Sequence, residues 1–238
     1  MLNKNTLLKV KRLALKIDHD VAFAGKAKGN RHLWRVVKLA KYMAKRLGAN
    51  VSIVEAGAWL HDTALPSGND YDCEKNRKIA KDILTDLHLS AEDSLMIAEC
   101  VASHEGTSKP KILEAKIVHD ADVLEKTGIL GIIRHTWKLA NSGKISADNI
   151  TKKDVREILN HLKWRSKKLQ TSMGKNIHSY LSVPITVTKA ENIISTVAKK
   201  AINGIVTEEI ASSIYKKLTG QQKKRLKEQL NLIYLREF

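Results

Sequence analysis

VSIVEAGAWLHD, residues 51–62, is apolar nearly all round and closes on a histidine and an aspartate. Asn50 stands ahead of it as a side-chain N-cap. A run of helix length with no polar stripe is expected to be a central helix, covered on every side. Titratable groups at the end of such a run are costly to bury unless something compensates them. The pair His61-Asp62 therefore needs a reason. The same dipeptide recurs as His19-Asp20 and His119-Asp120. With 9 His and 12 Asp in 238 residues, chance supplies roughly half a pair, so the dipeptide alone is weak and context must choose.

Working outward, RHLWRVVKLAKYMAKRLG places Leu33, Val36, Val37, Ala40, Ala44 and Leu47 at helical spacing, with Gly48 as the stop. His32 and Arg35 are three apart in its first turn and share a face. After the central helix, TALPSGNDYD reads as a loop. CEKNRKIAKDILTDL is the next helix, and Ser90 caps the one that ends at His104. Pro110 breaks the chain before ILEAKIVHDADVLEKTG. GILGIIRHTWKLANSG follows, and then a helix is expected from near Asp154 through Met173. Beyond Pro184 lie three amphipathic segments. With only 3 Pro and 12 Gly, gathered at breaks between these segments, the expected class is all-α.

Composition narrows the partners. At 43% hydrophobic the chain can bury a core. Its net charge of +17 divides as +11 over residues 1–50, −5 over 51–150 and +11 over 151–238. Basic flanks attract phosphates, and they admit nucleic acid as well as a phosphorylated small molecule. Carboxylates gathered near histidines in the acidic middle can hold a cation. The two cysteines make neither a disulfide framework nor a metal motif, which fits a cytoplasmic location. No stretch of 18 apolar residues is present, so no membrane span is expected. A homodimer is an allowed assembly on general grounds.

The chemistry-bearing residues come together as His32, His61-Asp62, His104 and the DAD of residues 120–122. Imidazoles and carboxylates in this number suit a divalent metal with open positions. Residues two apart on a helix lie about 200° apart around its axis, so only one of Asp120 and Asp122 can face such an ion. Apolar neighbours leave that choice open.

HLWRV at 32–36, AGAWLHD at 56–62, ASHEG at 102–106 and AKIVHDADVLEKTGILGIIR at 115–134 together resemble the HD-domain superfamily of metal-dependent phosphohydrolases, in particular its small bacterial and archaeal members. KLQTSMGKNIH, residues 168–178, resembles the tail of that subgroup. The resemblance implies an HD-type domain over residues 1–187, with residues 188–238 as a basic helical extension. It implies a metal held by His32, His61, Asp62 and Asp122, with Asp120 in support. Mn, Fe, Co, Ni, Zn and Mg are all admitted by this donor set. Asp62, His104 and Asp120 are the expected catalytic groups, and Arg35, Lys75 and Arg77 the expected substrate contacts. Leu65 stands where some relatives carry an acidic catalytic residue, and Val123 where many carry a basic one, so those two roles do not transfer. Asp70, Asp72 and Glu74 are acidic candidates that spacing does not rank. The expected activity is hydrolysis of a phosphate ester or anhydride, with a nucleotide as substrate class. The alternative is a nucleic-acid- or protein-binding module on the same scaffold.

Overall fold

A computed structural model describes residues 2–68 and 71–238, so Asp70 and part of the expected loop lie outside the described residues. Every regular element among the described residues is helical, as the scarcity of breakers predicts. The chain divides into two compact units. One gathers Met1–Lys28, His32–Asp122 and Leu169–Gly174, and the other Gly29–Arg31, Val123–Lys168 and Lys175–Phe238.

The first unit is built around α3 (Val51–Leu60), preceded by α1 (Lys4–Lys16) and α2 (His32–Leu47) and followed by α4 (Cys73–Asp86) and α5 (Ala91–Ser103). Asn50 caps α3 by accepting from the Ser52 and Ile53 N–H groups at 3.1 and 3.3 Å. Ile53, Val54 and all residues from Ala56 to Leu60 are buried, so the helix that lacks a polar stripe is the one enclosed by its neighbours. It packs against α1, α2 and α5. Trp34 and Trp59 meet edge to face with ring centroids 5.0 Å apart, and the Lys11 ammonium lies 4.3 Å from the Trp34 ring centre. Gly57 has a packing purpose. A Cβ there would fall 2.5 Å from Cys100 Cβ and 3.5 Å from a Val118 methyl, so the bare backbone sets how closely α3 approaches its neighbours.

Helix α6 (Leu113–Glu125) carries the DAD run, and its residues through Asp122 belong to this unit. Glu99 anchors its approach. One carboxylate oxygen accepts from Arg77 Nη1 at 2.8 Å and the other from the Lys111 N–H at 3.3 Å.

The second unit contains α7 (Gly128–Asn141), α8 (Lys152–Ser166), most of α9 (Ser172–Leu181), α10 (Val187–Ile202), α11 (Thr207–Lys217) and α12 (Gly220–Asn231). The three segments after Pro184 form α10 to α12 as their periodicity predicts, and all three pack on α7. Trp137 Nε1 donates to the Ile205 carbonyl at 2.9 Å, and Gln229 Nε2 to the Thr127 carbonyl at 3.0 Å.

The continuous helix expected from Asp154 through Met173 is interrupted. α8 ends at Ser166 and α9 begins at Ser172. The reason is Asp120, which accepts from the Gln170 N–H at 2.8 Å, the Thr171 N–H at 2.8 Å and the Thr171 hydroxyl at 2.7 Å. A buried carboxylate offers those amides stronger, charge-assisted bonds than a helical carbonyl would. Thr171 Oγ1 then accepts from the Gly174 N–H at 2.9 Å, and the close seating needs a glycine, since a Cβ at 174 would fall 2.4 Å from Asp120 Oδ2.

Two outcomes test these contacts. Asp120→Ala strands buried donors and is expected to cost about 3 kcal/mol of stability, read by urea unfolding, with faster hydrogen exchange at the 170 and 171 amides. Gly57→Ala overpacks the α3 crossing and is expected to cost about 1–3 kcal/mol in the same assay.

Candidate metal centre

His61 is the C-cap of α3, and Asp62 begins the turn beyond it. The turn is tight. The Thr63 N–H donates to the Leu60 carbonyl at 3.0 Å and the Leu65 N–H to the Asp62 carbonyl at 3.1 Å. Both side chains enter the interior of the first unit, His61 with no exposed surface and the Asp62 side chain 12% exposed.

His32 from the first turn of α2 and Asp122 from α6 arrive at the same place. His32 Nε2 lies 3.2 Å from His61 Nε2, 3.4 Å from Asp62 Oδ2 and 3.3 Å from Asp122 Oδ1. His61 Nε2 is 3.3 Å from Asp62 Oδ2 and 3.8 Å from Asp122 Oδ1. Donors held about 2.0–2.2 Å from a common cation sit about 3.0–3.5 Å from one another, so the spacing fits an ion bound by imidazole and carboxylate.

Proton placement agrees. His61 Nδ1 is 2.8 Å from the Ala58 carbonyl oxygen, and a carbonyl can only accept, so Nδ1 carries the proton and Nε2 presents its lone pair to the group. His104 is set the same way, with Nδ1 2.7 Å from the Val101 carbonyl oxygen. Its Nε2 is buried and makes no hydrogen bond. It lies 3.8 Å from Asp62 Oδ1 and 3.7 Å from Glu105 Oε1. The His104 backbone is itself held, because its carbonyl accepts from His119 Nδ1 at 2.7 Å.

Burial raises the Asp62 carboxyl, while positive charge at the positions of His61 and His32, such as a bound cation would bring, lowers it well below the usual carboxylate range. Burial lowers the His104 imidazole from its ordinary value against the opposing pull of Glu105, which favours the neutral ring. Both directions favour the states in which such groups act as ligands, a carboxylate anion and a neutral imidazole. Two donor groups could hold a divalent metal: His32, His61 and Asp122, and beside them Asp62, His104 and Glu105.

The remaining expected residues are placed as follows. Asp122, not Asp120, faces the donors. Asp120 instead accepts from Gln170 and Thr171 and so positions the segment before α9. Arg35 is buried at 4% exposure, one turn along α2 from His32. Arg77 is engaged by Glu99 at 2.8 Å and Glu74 at 3.5 Å, and exposed Lys75 sits 3.4 Å from the Ser67 carbonyl oxygen. Arg77, paired with a carboxylate, must loosen that bond before meeting a phosphate, whereas Lys75 holds only a long contact at the surface. His19-Asp20 falls in a π-helical turn over Ile17–Val21, outside both donor groups. Glu105 was not among the expected residues. Its signal lay inside the quoted ASHEG, where a carboxylate follows the helix-ending histidine.

Among the described residues no helix is long and apolar enough to cross a membrane. Residues 30–127 match the family described as HD domain. A comparison with curated proteins found no significant match. Among solved structures, a Lactobacillus plantarum protein aligns with a TM-score of 0.56 at 24% identity, covering 85% of this chain and 100% of its own. An HD-superfamily hydrolase from Bacillus thuringiensis aligns with a TM-score of 0.55 at 23% identity, covering 83% and 97%. Bacillus subtilis YpgQ in complex with ADP aligns with a TM-score of 0.51 at 18% identity, covering 72% and 87%. Identities this low speak for the fold alone, and His32, His61, Asp62 and Asp122 all fall inside the residues that the family model matches. Residues 30–127 thus resemble the HD-domain family, on an all-α fold like that of an HD-superfamily hydrolase.

Proposed function

We propose that the chain is a metal-dependent phosphohydrolase that cleaves a phosphate ester or anhydride, with a nucleotide as the substrate class. The observation that carries the reading is the convergence of His32, His61, Asp62 and Asp122 on one buried point. Four protein donors leave coordination positions for water and substrate, the arrangement of a catalytic rather than a closed structural site. A divalent cation held there would supply Lewis acidity toward a phosphoryl oxygen and acidify the attacking water.

The chain's own residues supply the rest of the proposal. Asp62 is anionic and placed to accept a hydrogen bond from the attacking water. The tautomers of His61 and His104 are set by Ala58 and Val101, so neither ring must reorganise when ligand arrives. Arg35 on the His32 face is the basic group proposed to meet phosphate oxygens through its planar fork. The nucleotide preference is supported by the fold shared with YpgQ, a protein whose structure holds ADP, and by the basic balance of +17.

The test compares wild type with Asp62→Ala. Wild type loaded with Mn²⁺ is expected to retain metal by elemental analysis and to gain thermal stability from it, because a ligand bound only by the folded state stabilises that state. Asp62→Ala is expected to lose both effects. In a screen of nucleoside mono-, di- and triphosphates, phosphate release should stop with EDTA, return with added divalent metal, and fall about 100-fold or more in the variant. Metal retention without hydrolysis of any phosphate in the screen would refute the enzyme reading and leave a metal-binding scaffold.

A further inference from the structure

The second unit holds a groove whose lining the packing does not use. Helices α10 and α11 both rest on α7, more extensively than on each other, and a groove of about 640 Å³ is left between them. Its lining belongs wholly to the second unit. Concave sites of about 300–1,000 Å³ with an apolar floor and a few polar groups are of the kind that takes a small molecule. Ile193, Ile214 and Leu218 form the floor here, each at 6% exposure or less.

The rim is cationic. Lys189 and Lys200 from α10 and Lys217 from α11 line it, and no carboxylate does among the described residues. None of the three lysines has an ion-pair partner among the described residues. Lys189, Ile193, Thr196 and Lys200 follow one another at four, three and four residues, so one face of α10 carries apolar surface between two ammonium groups. Those two lysines lie about 16 Å apart along the helix axis. Both are half-buried, as lysines are whose stems cover apolar surface while the ammonium stays in water. Thr196 Oγ1 donates to the Asn192 carbonyl and Ser213 Oγ to the Ile210 carbonyl, both at 2.8 Å. These hydroxyls therefore present lone pairs to a ligand and accept from its hydroxyl or amino groups. Donors toward an anion are the ammonium groups and the exposed Asn192 amide.

We infer that the groove between α10 and α11 binds an organic phosphate, with its anionic end among the lysines and its body over Ile193, Ile214 and Leu218. A nucleoside phosphate has both parts, and its hydroxyl and amino groups suit the Thr196 and Ser213 oxygens. Positive charge that no carboxylate neutralises, set against an apolar wall, concentrates anions. The floor distinguishes this ligand from inorganic phosphate, which has nothing to lay on it. No aromatic side chain lines the groove among the described residues, so the stacking platform that a single nucleic-acid strand uses is missing. Neither metal donor group borders it, so the ligand is held here and not cleaved. The inference does not depend on the phosphohydrolase reading of the first unit.

The experiment titrates ATP into the metal-free full chain in EDTA and follows the backbone amides by ¹⁵N–¹H correlation spectroscopy. EDTA keeps metal out of the first unit, and the amide map separates the two places. Shifts are expected at residues 189–200 and 213–218. The double variant Lys200→Gln, Lys217→Gln is expected to raise the Kd about tenfold or more, with amides away from the groove unmoved. Adenosine alone and pyrophosphate alone are each expected to bind more weakly than ATP, because each offers one half of what the groove meets. No shift in α10 and α11 at millimolar ATP overturns the inference, and phosphate release by the Mn²⁺-loaded chain then decides the proposed function by itself. An unchanged Kd in the double variant overturns it too. So does pyrophosphate that binds as tightly as ATP, which would reduce the groove to a patch of charge. Tighter binding of a single-stranded RNA oligonucleotide at the same amides overturns it in favour of nucleic acid. A dimer in sedimentation velocity that excludes ATP overturns it in favour of a second copy of the chain.

Discussion

The structure depends on the solvation of a handful of polar groups inside an apolar unit. His61, Asp122 and His104 have no exposed surface, and Asp62 and His32 have little. Such groups cost several kcal/mol each to dehydrate unless they are paired. The protein pays part of this with its own helix ends. Ala58 and Val101 carbonyls, three residues before each imidazole, take the Nδ1 protons. The ring nitrogens and carboxylates left facing inward are the donors that could hold a cation. The buried helix end, the ring orientations and the candidate metal centre are therefore one constraint seen at three scales.

Much of this was legible in the chain. The all-round apolar character of residues 51–60 identified the buried helix, and Asn50, Gly48 and Ser90 marked helix ends where the structure has them. Local chemistry decides such features, so local reading finds them. The choice between Asp120 and Asp122 was different. A 200° offset says that the two face apart but not which one meets the ion. The amides that capture Asp120 are 50 and 51 residues away in sequence, and no short-range pattern announces them. The same contact explains the helix break at 167–171, which periodicity carried straight through.

Lys75, Arg77 and Glu105 show the other limit. A basic residue after a metal loop reads as a phosphate contact until its partner is known, and the partner of Arg77 is Glu99 on a different helix. Glu105 was not among the expected residues, although it directly follows His104. The helix stops at Ser103, and past that point the two can converge. Sequence periodicity is informative only while the period persists, and His61, Asp62, His104 and Glu105 sit where it ends.

The interleaving of the two units bears on how the chain can reach this state. The first unit is completed by Leu169–Gly174, which follow Asp122 after a long excursion through the other unit. During synthesis the DAD helix emerges well before the amides that satisfy Asp120. Until they arrive, a buried carboxylate has no backbone donors, and that part of the core cannot close. The stretch that matches the family, residues 30–127, thus coincides with neither compact unit. Excised by itself it would lack α1 on one side of α3 and the acceptor's partners beyond α8. The family match and the compact units follow different boundaries in this protein, and closing the core around Asp120 requires contacts 50 residues away along the chain.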